Sequence, residues 1–309
     1  MTTIPLSVSQ RLTISISQIA PLVGLDSYNN FPRIVCEIWR KYNPTDFKII
    51  ETKLKESGNT QLATSSELND IWEADEALGT NILQKVKEIN SNKDKTSNDM
   101  VKNQNIIKDY IQSQTKLDNT QKQELAKKVC SVTNKMHGVN NEDAIIDQFC
   151  KLSEKQIKST QGWLEIPIDI TENAKLPLTW LIVGKYDGIT TDNELVEAKM
   201  RQKGLFKKLR DYENIQVQLY LHALQFEQAY LVESYTNKKG EMQIYVNETK
   251  YDKDYVEDMI LRRIQQFICF FEFAMSNDEI KENLLKGDIN RKIYNKYEIE
   301  YLGIDTLDF

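Results

Sequence analysis

The sequence predicts an α/β fold: a mixed central β-sheet flanked by helices, carrying a polar helical insertion. Three observations predict it. Runs with strand character, several alternating apolar and polar residues, fall between residues 162 and 249; apolar residues at helical spacing bracket them; and from about residue 49 to 135 the apolar density drops. The expected organisation is a single domain over 1–309, with its core in 1–48 and 136–309 and the helical insertion at about 49–135.

The elements follow in order. "ISQIAPLVGL" and "FPRIVCEIWRKY" read as two helices around the turn "DSYNN". The insertion, rich in Lys, Asn, Gln, Glu and Ser, reads as exposed helices joined by a polar loop near 91–99. Past a turn at Gly138, "NNEDAIIDQFCKLSEKQI" sets Ile145, Ile146 and Phe149 on one helical face, with Asn140 or Asn141 as cap. "GWLEIPIDIT", "LTWLIVGKYDGI" and "ELVEAKM" then read as three strands of a meander. "NIQVQLYLHALQF" returns to helical spacing, "QAYLVESYT" and "MQIYVNET" are strands, and "YVEDMILRRIQQFICFFEFAM" is an amphipathic helix.

Bulk composition excludes several classes. With 40 Lys and Arg against 46 Asp and Glu, the net charge is −6, so any grip on nucleic acid must be local. Cys36, Cys130, Cys150 and Cys269 are scattered without a C-x-x-C pair, which suits reduced thiols in a cytosol-like compartment, cytoplasmic or viral within a host cell. The N-terminal stretch lacks the pattern of a secretory signal. The most apolar late stretch, "FICFFEFAM", is too short to cross a bilayer, so no membrane segment is expected.

The chemistry concentrates in "GKYDGITTDNELVEAKMRQ", residues 184–202. With Thr190 to Glu194 as a hairpin loop, residue 189 faces 195 and 187 faces 197. Directly opposed residues hold their Cβ atoms about 5 Å apart, and period-two alternation puts Lys199 on the face of Glu197. Asp187, Glu197 and Lys199 therefore share one face. Two carboxylates this close repel unless a cation joins them, and Mg²⁺ binds through one or two carboxylates plus substrate phosphate. The lysine can orient or help deprotonate an attacking water, or neutralise charge in the transition state. Glu142 lies on the apolar stripe of Ile146 and Phe149, and Gln216 and Tyr220 stand one helical turn apart.

Together these residues carry a resemblance. The chain resembles the PD-(D/E)XK nucleases of the lambda-exonuclease and YqaJ-like viral recombinase group, and more distantly RecB-type and CRISPR-adaptation nucleases. "SQIAPLVGLDSYNNFPRIVCEIW", "HGVNNEDAIIDQF", "GKYDGI", "ELVEAKM" and "QVQLYLHAL" follow the family's order of motifs over roughly residues 11–45 and 136–275. The resemblance implies a restriction-endonuclease-like core and metal-dependent hydrolysis of DNA phosphodiester bonds, acting as an exonuclease at DNA ends in recombination or repair. It implies Glu142, Asp187, Glu197 and the carbonyl of Ala198 as Mg²⁺ ligands, with Mn²⁺ able to substitute. Lys199 would be the catalytic lysine, and Gln216 and Tyr220 would orient the lysine, water or DNA backbone around the site. Arg11 and Ser17 are nearest to the family's 5′-phosphate pair, at a spacing one residue shorter.

Two features depart from the family pattern. Tyr186 replaces the motif proline, and the insertion is long. Only Cys269 lies where some relatives gather three cysteines for an iron–sulfur cluster, so none is expected. The basic run "KMRQKGLFKKLR" offers Arg201, Lys203, Lys207 and Lys208 as a track for DNA phosphates. His137 and His222 read as structural or solvated, Asp192 and Glu194 as turn residues, and Trp163 and Trp180 as core. DNA is the expected partner, with a homo-oligomer or a recombination or helicase partner also compatible. The alternatives are a non-catalytic DNA-binding or assembly module on the same fold, or an endonuclease.

Overall fold

A computed structural model describes residues 10–25, 31–59, 80–82, 84, 88, 97–114, 117–169, 176–237 and 240–289. Strand β1 (Gln10–Ser15) leads into α1 (Ile16–Val23), followed by α2 (Phe31–Tyr42) and α3 (Pro44–Glu56). In the insertion come α4 (Ser97–Gln112) and the 35-residue α5 (Asn119–Ser153). Then follow β2 (Ile157–Thr160), β3 (Trp163–Pro167), β4 (Leu178–Lys185), β5 (Gly188–Thr190), β6 (Leu195–Arg201), α6 (Asp211–Leu224), β7 (Gln228–Thr236) and β8 (Met242–Lys250). A π-helical stretch, Tyr255–Leu261, runs into α7 (Arg262–Met275), and α8 (Asp278–Lys286) follows.

The expected mixed α/β architecture is present, but the strands divide into two sheets. One has the order β1-β4-β3 and the other β2-β5-β6-β7-β8. β1 pairs parallel to β4, and β6 parallel to β7, while the remaining pairs are antiparallel. The run read as one strand, 178–189, is broken at Tyr186 and Asp187, so β4 belongs to the first sheet and β5 to the second. That break places Asp187 where the two sheets part.

Alternation along the first sheet sorts its residues. Leu12, Ile14, Leu164, Ile166, Trp180 and Ile182 turn to the main core, where Trp180 meets Phe267 and Phe271 of α7 edge-on, with ring centroids 6.2 and 5.2 Å apart. Arg11, Trp163, Glu165 and Lys185 lie on the opposite side. In the second sheet, Val196, Ala198 and Val232 pack beneath Ile145, Ile146 and Phe149 of α5. The other face of β6, carrying Glu197, Lys199 and Arg201, meets α6 through the hydrogen bonds of Gln216 and Glu213.

Several expectations about the insertion are revised. Helix α3 runs past residue 48, with Phe47, Ile50 and Leu54 in the main core. Beyond it the insertion builds a small core of its own from Ile82, Ile107, Ile111, Leu125 and Val129. Neither a turn at Gly138 nor a cap at Asn140 or Asn141 forms, because α5 continues through them. Packing of its N-terminal half on α4 and of its C-terminal half on the second sheet overrides the weak helix preference of Gly and Asn. The insertion is thereby joined to the core by the helix that bears Glu142. Of the polar loop expected near 91–99, residues 91–96 lie outside the described residues and 97–99 instead open α4.

Candidate active site

Strand β5 is short, but its pairing with β6 sets the register of the site. Gly188 stands opposite Val196 and Ile189 opposite Leu195, the alignment expected from the sequence. Asp187 extends that register by one residue, and its Oδ2 accepts the backbone N–H of Ala198 at 2.8 Å. The turn between the strands is closed by Glu194, whose carboxylate accepts bonds from Lys155 Nζ, Thr190 Oγ1 and Tyr230 Oη at 2.6–3.0 Å.

Across β6 and α6 lies a compact polar network. Lys199 Nζ donates to Glu197 Oε1 at 2.6 Å and to Gln216 Oε1 at 3.2 Å. Gln216 Nε2 donates to the same Glu197 oxygen at 2.8 Å and to Tyr220 Oη at 3.3 Å. Tyr220 Oη in turn donates to the Lys185 carbonyl at 2.8 Å. Glu213, Gln216 and Tyr220 are spaced at i, i+3 and i+7, so they lie on one face of α6. Gly184 permits the approach: a Cβ there would come within 2.9 Å of the Tyr220 ring and 2.6 Å of Ile16.

Glu142 joins from α5 through a residue that the sequence reading did not single out. Gln161 Nε2 donates to Glu142 Oε2 at 2.9 Å, while the Gln161 backbone N–H donates to the Asp187 carbonyl at 3.2 Å. Gln161 thus holds two of the acidic residues at once, and it does so from a left-handed backbone, φ 56°, rarely adopted by residues with a Cβ. Its neighbour Gly162 accepts the Tyr186 N–H at 3.0 Å, a bond that proline at 186 has no hydrogen to make. A Cβ on Gly162 would lie 2.1 Å from the Tyr186 ring, so any other residue there would have to displace that ring. The signal available in the sequence was the Gln-Gly pair between two strand-like runs.

Electrostatically the three acids behave alike. Burial pushes Glu197 up to about 7, with the charges of Asp187 and Glu142 adding to it and Lys199 opposing. Burial also raises Asp187, against the pull of Lys199, the Ala198 N–H and Lys185. Glu142 is raised by burial and by the Asp187 charge, against Gln161, Lys199 and Lys185. For Lys199, burial works against the charge, yet ion pairing and hydrogen bonding to Glu197, with Asp187 nearby, hold it above its ordinary range. The ammonium therefore stays charged at neutral pH, and the protein's own cations do not fully compensate the acids.

Buried Oε2 of Glu197 has no hydrogen-bond partner, although the residue is only 2% exposed. An unpaired buried carboxylate oxygen is costly, and a hard divalent cation satisfies it. The donor set fits such an ion, with one difference from expectation. Among the described residues, no group of three or more His, Cys, Asp or Glu is arranged to hold a metal unaided. A Mg²⁺ ion here fits the arrangement of one or two carboxylates completed by water or substrate oxygen.

The expected DNA contacts are less uniform. Arg201 is not on the phosphate track: it is 8% exposed, with its guanidinium against Glu213 at 2.6 and 3.1 Å and Glu233 at 3.2 Å. The reason is that Arg201 continues the inward face of Glu197 and Lys199. Glu233 also accepts the backbone N–H groups of Phe206 and Lys207, and the Phe206 ring lies between the Arg201 and Arg210 guanidiniums at 4.2 Å from each. This anchor holds the loop that carries exposed Lys203, Lys207 and Lys208. Arg11 lies on β1 and pairs with Glu165 at 2.5 Å. Ser17 is the second residue of α1, and its Oγ lies 3.0 Å from Ser15 Oγ. Trp180 is core as expected, whereas Trp163 is 61% exposed. His222 is bonded to Tyr251 Oη at 2.8 Å, a structural role.

No protein-family model matches the chain, and no curated protein does. Among solved structures, an alkaline exonuclease (LHK-Exo) from Laribacter hongkongensis is similar over 46% of this chain and 71% of its own, at 13% identity and TM-score 0.34. Its complex with dAMP overlaps to 46% and 70%, at 14% identity and TM-score 0.34. A structure described as SSO0001 overlaps over 63% of this chain and 86% of its own, at 15% identity and TM-score 0.36. Overlaps this loose assign neither family nor activity to the chain. No helix among the described residues is long and apolar enough to cross a membrane.

Proposed function

We propose that this chain is a divalent-metal-dependent deoxyribonuclease that hydrolyses phosphodiester bonds, acting at DNA ends. The carrying observation is the unpartnered, buried Oε2 of Glu197, set beside Asp187 and the charged Lys199. The order of motifs resembling the lambda-exonuclease group supports the choice of DNA and of its ends. Glu197 and Asp187 would hold Mg²⁺ or Mn²⁺, with Glu142 and the Ala198 carbonyl as further donors. When bound, the ion supplies Lewis-acid polarisation of the phosphoryl group and a more acidic water.

The chain's own groups account for the rest of the chemistry. Lys199 is held by Glu197 and Gln216, so its ammonium is already oriented when negative charge builds on the phosphoryl oxygens. Its raised pKa makes it a donor and charge stabiliser and keeps it from serving as the base. Gln216 and Tyr220 fix the lysine and the end of β4 in one network, which limits its reorganisation during the reaction. Lys203, Lys207 and Lys208, on a loop anchored by Glu233, provide sequence-independent phosphate contacts.

Digestion of end-labelled linear and closed circular DNA, with Mg²⁺ present or chelated, tests the reading. Degradation of linear DNA alone, lost on chelation and in Lys199→Ala and Asp187→Ala, is expected. Hydrolysis persisting in either folded variant removes the assignment. The non-catalytic alternative predicts DNA binding without turnover in the same assay.

A further inference from the structure

Beside the acidic site, the β1-β4-β3 sheet presents a face that bears an exposed tryptophan. Trp163 opens β3 directly opposite Lys185, the last residue of β4, and both side chains lie on the side away from the main core. Trp163 follows Gln161 by two positions, and Lys185 precedes Asp187 by two. Directly opposed strand residues lie about 5 Å apart, and both neighbours are tied to the site: Gln161 bonds Glu142, and the Lys185 carbonyl accepts from Tyr220. The indole therefore stands next to the residues that hold Glu142 and Asp187.

Its orientation is fixed by Glu165. Trp163 Nε1 donates to Glu165 Oε1 at 3.3 Å, and the other oxygen of that carboxylate pairs with Arg11 at 2.5 Å. The polar edge of the indole is thus occupied while 61% of the residue stays open to solvent. An aromatic surface of this size, held by its edge beside an exposed lysine, suits a ligand that is both flat and anionic.

We propose, resting on the nuclease reading, that Trp163 is a stacking platform for a nucleobase of an unpaired strand whose phosphodiester lies at the acidic site, with Lys185 contacting that nucleotide's phosphate. Charge favours a nucleic-acid strand over an apolar partner, because exposed Lys185 stands opposite the ring while the charge of Glu165 is matched by Arg11. Stacking is indifferent to base identity, so the platform holds unpaired nucleotides without sequence preference.

The test uses the full chain in EDTA with fluorescein-labelled oligo(dT) and an otherwise identical strand containing one abasic position, scanned along its length. Binding is read by anisotropy and by tryptophan quenching. Trp163→Ala is expected to weaken oligo(dT) binding about 5- to 100-fold, with Trp163→Phe retaining most of the affinity. One abasic position should weaken the wild type and leave Trp163→Ala unchanged. Equal affinity of wild type and Trp163→Ala, equal abasic penalties in both, or no oligo(dT) binding by the wild type overturns the proposal. Cleavage of linear duplex by the wild type with Mg²⁺ is measured in parallel. Cleavage without a Trp163 effect sinks the platform alone, whereas loss of cleavage sinks the nuclease reading. Trp163 is exposed, so circular dichroism should match that of the wild type in both variants.

Discussion

Removing the charge of Glu197 should stabilise the metal-free protein, and more so as pH rises. The carboxyl is almost fully buried and raised from 4.5 to about 7. A raised acid pKa means the folded state binds the proton more tightly than the unfolded chain does. The associated stability is complete below pH 4.5 and is lost as pH climbs through 7. The interval of 7 minus 4.5 at 1.36 kcal/mol per unit amounts to about 3 kcal/mol, or about 6 °C in Tm at the low end of the size scaling. Glu197→Gln keeps the oxygen that accepts from Lys199 and Gln216 and abolishes the titration.

Differential scanning fluorimetry in EDTA from pH 5 to 8.5 compares the two proteins. Their Tm values should nearly coincide at the acid end and separate with rising pH, the wild type falling about 6 °C below Glu197→Gln. Mg²⁺ should restore the wild type progressively with pH, since it binds the ionised form, and should have little effect on the variant. A Tm difference independent of pH, or equal Mg²⁺ shifts in both proteins, would refute the argument that an uncompensated charge resides at Glu197.

Three further outcomes follow from the supporting residues. Gln161→Ala removes the amide that holds Glu142 and should weaken Mn²⁺ binding about 10- to 100-fold by calorimetry; Gln161→Gly should lose the same affinity yet be more stable than Gln161→Ala, because φ 56° suits glycine. Gly162→Ala drives a Cβ into the Tyr186 ring and should cost about 1–3 kcal/mol in urea denaturation. Arg201→Met strands Glu213 and Glu233 without their buried partner and should cost about 3–5 kcal/mol, with limited proteolysis opening the 202–210 loop.

Where local geometry dictated contact, the sequence was readable. The register of Asp187 against Glu197 follows from hairpin counting, and the Glu197–Lys199 pair from strand alternation. The Gln216–Tyr220 pair follows from helical spacing. Contacts made between elements distant in sequence were not readable. Arg201 looks like one cation among six in a basic run, and only the presence of Glu213 and Glu233 behind it turns it inward. Strand β1 escaped because its partner, β4, lies more than 160 residues away, although Leu12 and Ile14 alternate with polar neighbours. Trp163 was misplaced for a different reason: size argued for burial, whereas alternation with Leu164 and Ile166, both turned to the core, already put it outside.

The same distinction explains how the site is built. Each acid comes from a different element, and each is held by an uncharged donor: Gln161 for Glu142, the Ala198 N–H for Asp187 and Gln216 for Glu197. Neutral donors position a carboxylate without cancelling its charge. Among the described residues, only Lys199 forms an ion pair within the set, and it occupies a single oxygen of Glu197. The carboxylates are therefore oriented but left short of positive charge. A site meant only for stability would do better with apolar residues of similar volume, because burying acids in this state costs free energy that folding alone does not return. Under the proposed function, a divalent cation carrying a phosphodiester to Asp187 and Glu197 would offset that cost.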